Sequence, residues 1–184
     1  MSQGSPIPGG GSAAAYVACL GMGLGEMAAA IGLKKAAPES QPAVRKAVQL
    51  LRKTRRRALQ VVDLDPRVYQ GVMDSYKKAR STADQKKKER LIDDALENAF
   101  RLQADLALLV VMAKEAVQGI EGLIKGAIQN DLKVSKAFLG AAFQGSCDTA
   151  HINVVYLKNP QNKQRAGQAL EELEKRFETG SSGN

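Results

Sequence analysis

Tryptophan is absent from this chain, histidine occurs once and cysteine twice. A single imidazole, His151, excludes a histidine-rich metal centre and leaves a Ser-His-Asp triad without support. Cys19 and Cys147 stand too far apart for metal-ligand spacing and read as two reduced thiols of a cytoplasmic protein. Aromatic residues make up only 4% of the chain, while Ala, Leu, Val, Lys, Glu and Gln abound, a balance that favours helix over sheet. No basic segment precedes the apolar run Ala13–Leu33, so no signal peptide is evident. That run holds Glu26 and four glycines and reads as a buried helix, not a membrane span. No internal repeat is visible.

What is present is an ordinary globular balance, 44% apolar and 25% charged, with a net charge of +8. The length suits a single domain, taken as residues 1–179, with 180–184 as a flexible tail. The positive excess favours acidic partners. It gathers in two clusters, Arg52–Arg57 and Lys86–Arg90. A solvated helix face is the commoner explanation of such clusters. Neither is interleaved with aromatics, which weighs against nucleic acid as the partner.

The most informative segment is Ser5-Pro6-Ile7-Pro8-Gly9-Gly10-Gly11-Ser12, running directly into the Ala-rich stretch. Its composition also fits a flexible linker, but a Gly/Ser spacer needs no pair of prolines. Three glycines followed by a serine at a helix start would expose backbone N–H groups and the positive end of the helix dipole to a ligand. Gly21 and Gly25, four residues apart, mark a face where another helix approaches closely, either within the bundle or across a dimer.

The pattern predicts an all-α, up-and-down bundle of five to six helices, one or more kinked, with a buried Ala/Gly-rich first helix. Helix 1 is expected from Ser12 to Lys34 and helix 2 from Pro42. Pro66 should kink the second helix or restart it, with Asp65 as the cap of the restarted segment. A further helix, capped by Ser81 or Thr82, should reach Lys125. Another should cover Asp131–Leu157, and a last one Pro160–Phe177. Residues 152–156 have strand propensity but nothing to pair with.

Three stretches resemble the cyclodeaminase/cyclohydrolase family of folate enzymes. Pro6-Ile7-Pro8-Gly9-Gly10-Gly11-Ser12, with Leu24-Gly25-Glu26-Met27 beyond it, is similar to the family's P-x-P-G-G-G-S opening and first helix. Val62-Asp63-Leu64-Asp65-Pro66-Arg67-Val68-Tyr69, followed by Val72-Met73 and Tyr76, resembles its V-D-x-D-x-x-A-F segment. Ile152-Asn153-Val154 is similar to the N-V stretch of its long C-terminal helix.

The resemblance implies a homodimer acting on a one-carbon unit of tetrahydrofolate, with no metal and no cofactor. The reaction would be methenyltetrahydrofolate cyclohydrolase or formiminotetrahydrofolate cyclodeaminase; both need proton transfer at a carbon between N5 and N10. It assigns Asp65 as the catalytic carboxylate and Lys34 and Lys35 as catalytic lysines. Asp131 would supply a second carboxylate, or else Ser135-Lys136 takes the family's S-D position. Pro8, Gly9, Gly10, Gly11, Ser12, Asp63, Tyr69 and Asn153 would contact the folate, and Arg55, Arg56 or Arg57 its glutamate tail. A non-catalytic homologue that keeps the fold is the alternative.

Overall fold

The computed structural model describes Gly4 and residues 6–179, and the tail expected at 180–184 lies outside them. Five helices follow one another: α1 Gly10–Leu33, α2 Gln41–Arg80, α3 Gln85–Glu121, α4 Gln129–Tyr156 and α5 Pro160–Thr179. No strand occurs among the described residues, and the β-prone segment Ile152–Tyr156 completes α4. In α1–α4, each helix packs against its neighbours in sequence and α1 also packs against α4, so the four close into a ring; α5 lies on α3 and α4.

The helix limits show which local signals prevailed. The N-cap of α1 is Gly9, not Ser12, and Ser12 lies within the first turn, fully buried. Ser81 and Thr82 do not start α3. Their hydroxyls donate back to the Lys78 carbonyl at 2.9 and 3.0 Å and close α2. Asp84 is the cap, its carboxylate accepting the N–H groups of Lys86 and Lys87 at 2.9 and 3.2 Å.

The restart expected at Pro66 does not occur: α2 runs through it as a single helix of 40 residues. Proline has no N–H to offer the carbonyl one turn earlier, here that of Val62. Ser12 supplies the missing donor, its Oγ standing 3.0 Å from the Val62 oxygen. Asp65 is therefore an interior residue of α2 and caps no restarted helix.

Burial of α1 extends to one face only. Ala14, Ala15, Ala18, Met22, Ala28 and Ala29 enter the main core with Leu51, Leu106, Val110, Val117 and Leu139. Gly21 and Gly25 belong to this face and serve packing within the chain. A Cβ at Gly25 would meet Ser135 Oγ of α4 at 2.9 Å and Val117 of α3 at 3.0 Å. Ser135 Oγ in turn donates to the Gly21 carbonyl at 2.7 Å. The other face carries Tyr16, Leu20, Met27 and Ile31 into solvent, because α1 has helices on two sides and none on the third.

The helices differ in length, and that difference creates the cavity. At 1.5 Å per residue α1 is about 36 Å long and α2 about 60 Å. Beyond the first turn of α1, the bundle continues as α2, α3, α4 and α5 around a second core of Val72, Leu96, Phe100, Ala150, Val154 and Leu170. The place a longer α1 would fill is open.

Candidate functional site

A cleft of about 430 Å³ occupies that gap. Its floor is the start of α1, from Gly9 to Gly11, together with Asp65 and Gln103; its walls include Tyr69, Met73, Tyr76, Thr149, Asn153 and Tyr156. The walls are mainly apolar, and the polar groups converge at the floor, the usual form of a small-molecule site.

Asp65 is the centre of the floor. Its Oδ2 accepts the N–H of Ser12 at 2.9 Å, and its Oδ1 accepts Gln103 Nε2 at 2.7 Å. Ser12 Oγ lies 3.1 Å from the same Oδ2 as well as 3.0 Å from the Val62 carbonyl, and its single proton serves one of them at a time. A residue of α2 thus does for α1 what an N-cap side chain would do, binding a first-turn N–H at the positive end of the helix. Glycine at the cap position, which has no side chain for the task, is thereby accounted for. Gly11 is required for another reason. A Cβ there would overlap both Asp65 Oδ1 and Gln103 Nε2.

Gln103 was not singled out from the sequence. It is 1% exposed, and its Oε1 is buried without a hydrogen-bond partner while its amide nitrogen serves Asp65. A buried acceptor left unmade is costly and marks a place where a ligand donor would fit. The only signal in the sequence was a polar residue among Leu102, Leu106 and Val110 on the core side of α3.

The expected site residues divide into two groups. Gly9, Gly10, Gly11, Asp65, Tyr69 and Asn153 line the cleft. Ser12 lies beneath it, with its N–H already taken by Asp65, so it supports the floor and offers no free donor. Pro8 is exposed and outside the lining, although Pro6 and Ile7 are part of it. Asp63 also faces solvent, since two residues along a helix turn the side chain well away from Asp65.

The second group lies elsewhere in the chain. Lys34 and Lys35 are exposed just past the far end of α1, about 36 Å from Gly10. Asp131 is in the first turn of α4, about 27 Å along that helix from Thr149. Lys136 pairs with Glu121 at 2.6 Å, and Ser135 is bonded to Gly21. Within one chain, therefore, no residue of this group reaches Asp65. The arginine cluster does not edge the cleft either. Arg52 and Arg55 both hold Glu26, at 2.7 and 3.1 Å, near the middle of α1. Burial pushes the Glu26 carboxyl up, but the two guanidinium groups outweigh it and hold the group below its ordinary value.

Among the described residues no group of three or more His, Cys, Asp or Glu could hold a metal ion. The thiols lie outside the cleft lining. Burial raises Cys19 despite Arg55 nearby; burial, with Glu174 and Asp148, pushes Cys147 up to about 12.

A helical bundle with a small-molecule cleft built on a glycine-rich helix start and a carboxylate is the class that the fold and the site define. The family model described as Formiminotransferase-cyclodeaminase matches residues 1–172, and the chain belongs to that family. A solved structure of similar fold is the formiminotetrahydrofolate cyclodeaminase of Thermotoga maritima. It has a TM-score of 0.87 and 20% identity, over 97% of this chain and 86% of that one. At that identity the likeness establishes the fold. No curated protein sequence matches the chain.

Proposed function

We propose that the chain acts on a one-carbon unit carried by tetrahydrofolate, with the cleft above Asp65 receiving the pterin. The observation that carries this reading is the Asp65 carboxylate, fixed at the start of α1 in the floor of an apolar cleft, in a chain of this family. Cyclisation of the 5-formimino compound has N10 attack the formimino carbon and expels ammonia, giving 5,10-methenyltetrahydrofolate. Hydrolysis adds water to the methenyl carbon and opens the C–N5 bond, giving the 10-formyl compound and a proton. Either reaction needs a group that takes or gives a proton at one position, and Asp65 is the ionisable side chain of the cleft floor. Gln103 Oε1 beside it suits a donor N–H of the ligand.

One observation favours a second reading, a homologue that binds folate without turning it over. Both oxygens of Asp65 are already engaged, by Ser12 and Gln103, and no lysine lines the cleft. The absorbance of 5,10-methenyltetrahydrofolate separates the two. Its enzyme-dependent loss supports hydrolysis, and its appearance from the 5-formimino compound supports cyclisation. Saturable binding with neither change would leave the non-catalytic reading.

A further inference from the structure

We infer that the outer face of the first half of α2 is a docking surface for the phosphate backbone of a double-stranded nucleic acid, held by charge and without regard to base sequence. The inference is independent of the folate reading above.

From Gln41 to Val62 the chain has seven cations and no acid, so this stretch alone supplies +7 of a net charge of +8. Arg52 and Arg55 turn toward α1 and share Glu26. Arg45, Lys46, Lys53, Arg56 and Arg57 are mostly solvent-exposed and form no ion pair among the described residues. Helical spacing sets Arg45, Lys53 and Arg56 opposite the buried Val44, Ala47, Leu51, Thr54 and Ala58, with Lys46 and Arg57 beside them. Among the described helices α2 packs on α1 and α3 alone, and its outer side is uncovered. From Arg45 to Arg57 the stripe runs about 18 Å along the helix.

The basic face of α3 is built differently. Lys86, Lys87, Lys88 and Arg90 alternate there with Asp84, Glu89 and Asp94. Arg90 faces Asp94 at 3.9 Å and Arg101 pairs with Glu97 at 3.2 Å, each one turn apart. Such a face is adequately explained by solvation. On α2 the positions one turn apart carry like charges, Arg52 with Arg56 and Lys53 with Arg57, which weakens a helix. Arg45 and Lys46 also lie toward the positive end of the helix dipole, and the first turn holds no acid to offset them. The fold gains nothing from this stripe, whereas a bound polyanion turns its self-repulsion into attraction.

The chemistry of the stripe selects the partner. Three of its five cations are arginines, whose planar fork matches phosphate oxygens. From Gln41 to Ala58 no large apolar side chain is exposed, so the stripe has nothing to insert into a bilayer. No aromatic residue lies between Gln41 and Val62, so unpaired bases have nothing to stack on. That absence weighs against base reading and leaves the backbone of a duplex, which binds through release of its counterions.

Fluorescence anisotropy of a labelled DNA duplex of about 24 base pairs and arbitrary sequence, titrated with the full chain, tests this. Affinity should fall by about 500-fold between 50 and 200 mM salt, the dependence given by about five phosphate contacts. Arg45→Gln with Lys53→Gln should lower the slope of log affinity against log salt by about 1.8, with helical content unchanged. Lys87→Gln with Arg90→Gln removes the same charge from α3 and should leave the slope as it is. No binding at 50 mM salt, equal loss of slope in the two variants, or tighter binding of a single strand of the same length would overturn the inference. Sedimentation with phosphatidylserine vesicles at higher affinity than the duplex, lost in the α2 variant, would overturn it in favour of an anionic membrane.

Discussion

Asp65 caps a helix to which it does not belong: its Oδ2 accepts the Ser12 N–H at 2.9 Å across a separation of 53 residues. One carboxylate thereby closes α1 and occupies the floor of the cleft. Its structural role and the chemical role proposed for it are separable only by variants that keep one of them.

Asp65→Asn retains an acceptor for Ser12, so its unfolding temperature should stay near wild type while turnover falls by about 10²-fold or more, the scale of a lost acid or base. Asp65→Ala orphans a buried first-turn N–H and should also destabilise by about 1–2 kcal/mol. Thermal denaturation beside the methenyltetrahydrofolate assay checks both. Full activity in the asparagine variant would leave Asp65 a cap and nothing more.

Gln103→Leu removes a buried carbonyl oxygen that has no partner, along with one of the donors to Asp65. The first loss is favourable and the second is not, so the two offset and stability should change by no more than about 1 kcal/mol. Folate affinity should fall by about tenfold, the equivalent of one hydrogen bond of about 1.4 kcal/mol. Calorimetric titration measures it. Unchanged affinity would show that the oxygen meets no ligand donor.

Gly11→Ala forces a methyl group into the Asp65–Gln103 contact. It should destabilise by about 1–3 kcal/mol, as overpacking does, and abolish binding at the cleft. Gly140→Ala in α4, where a Cβ meets nothing within 4 Å, should instead stabilise by about 0.5–1 kcal/mol. Equal effects of the two in urea would contradict the packing at the floor.

Ser12→Ala leaves the Val62 carbonyl without its donor at 3.0 Å. Pro66→Ala returns the intrahelical N–H that proline withholds. The double variant should therefore be more stable than the sum of the two single changes predicts, because the restored N–H matters most once the Ser12 hydroxyl is gone, with a coupling of about 0.5–3 kcal/mol. Simple additivity would mean that Ser12 does not compensate for Pro66.

The buried Cys147 thiol, raised from 9.0 to about 12, holds its proton in the native state where the unfolded chain releases it. The stability this thiol contributes is therefore fully present below pH 9.0 and is lost as pH climbs from there toward about 12. Cys19 and Tyr76, also raised by burial, act in the same direction, so Cys147→Ala should lessen the decline without removing it. Urea midpoints of the wild type and Cys147→Ala across this range give the two slopes; equal slopes would contradict it.

Composition and apolar spacing were enough to determine an all-helical chain and the approximate limits of its helices, because helix formation depends on residues three and four apart. The Gly9–Ser12 segment and Asp65 stood out through their motifs, and Gly9, Gly10, Gly11 and Asp65 do line the cleft. Other features were not, since they depend on which helices lie side by side. Pro66 carries a local signal to end a helix. That signal yields because Ser12, far off in sequence, supplies the donor that Val62 would otherwise lack. Asp65 carries a local signal to cap the residues after it, and tertiary packing has it cap α1 instead. Gln103 became visible only once α3 lay against α2. The separation of Lys34 and Lys35 from Asp65 follows from the rigid rise of the helix that joins them, so motif residues read together in sequence stand at opposite ends of one chain. Local interactions set the helices; their unequal lengths and the order of the ring set where the cleft opens and which side chains reach it.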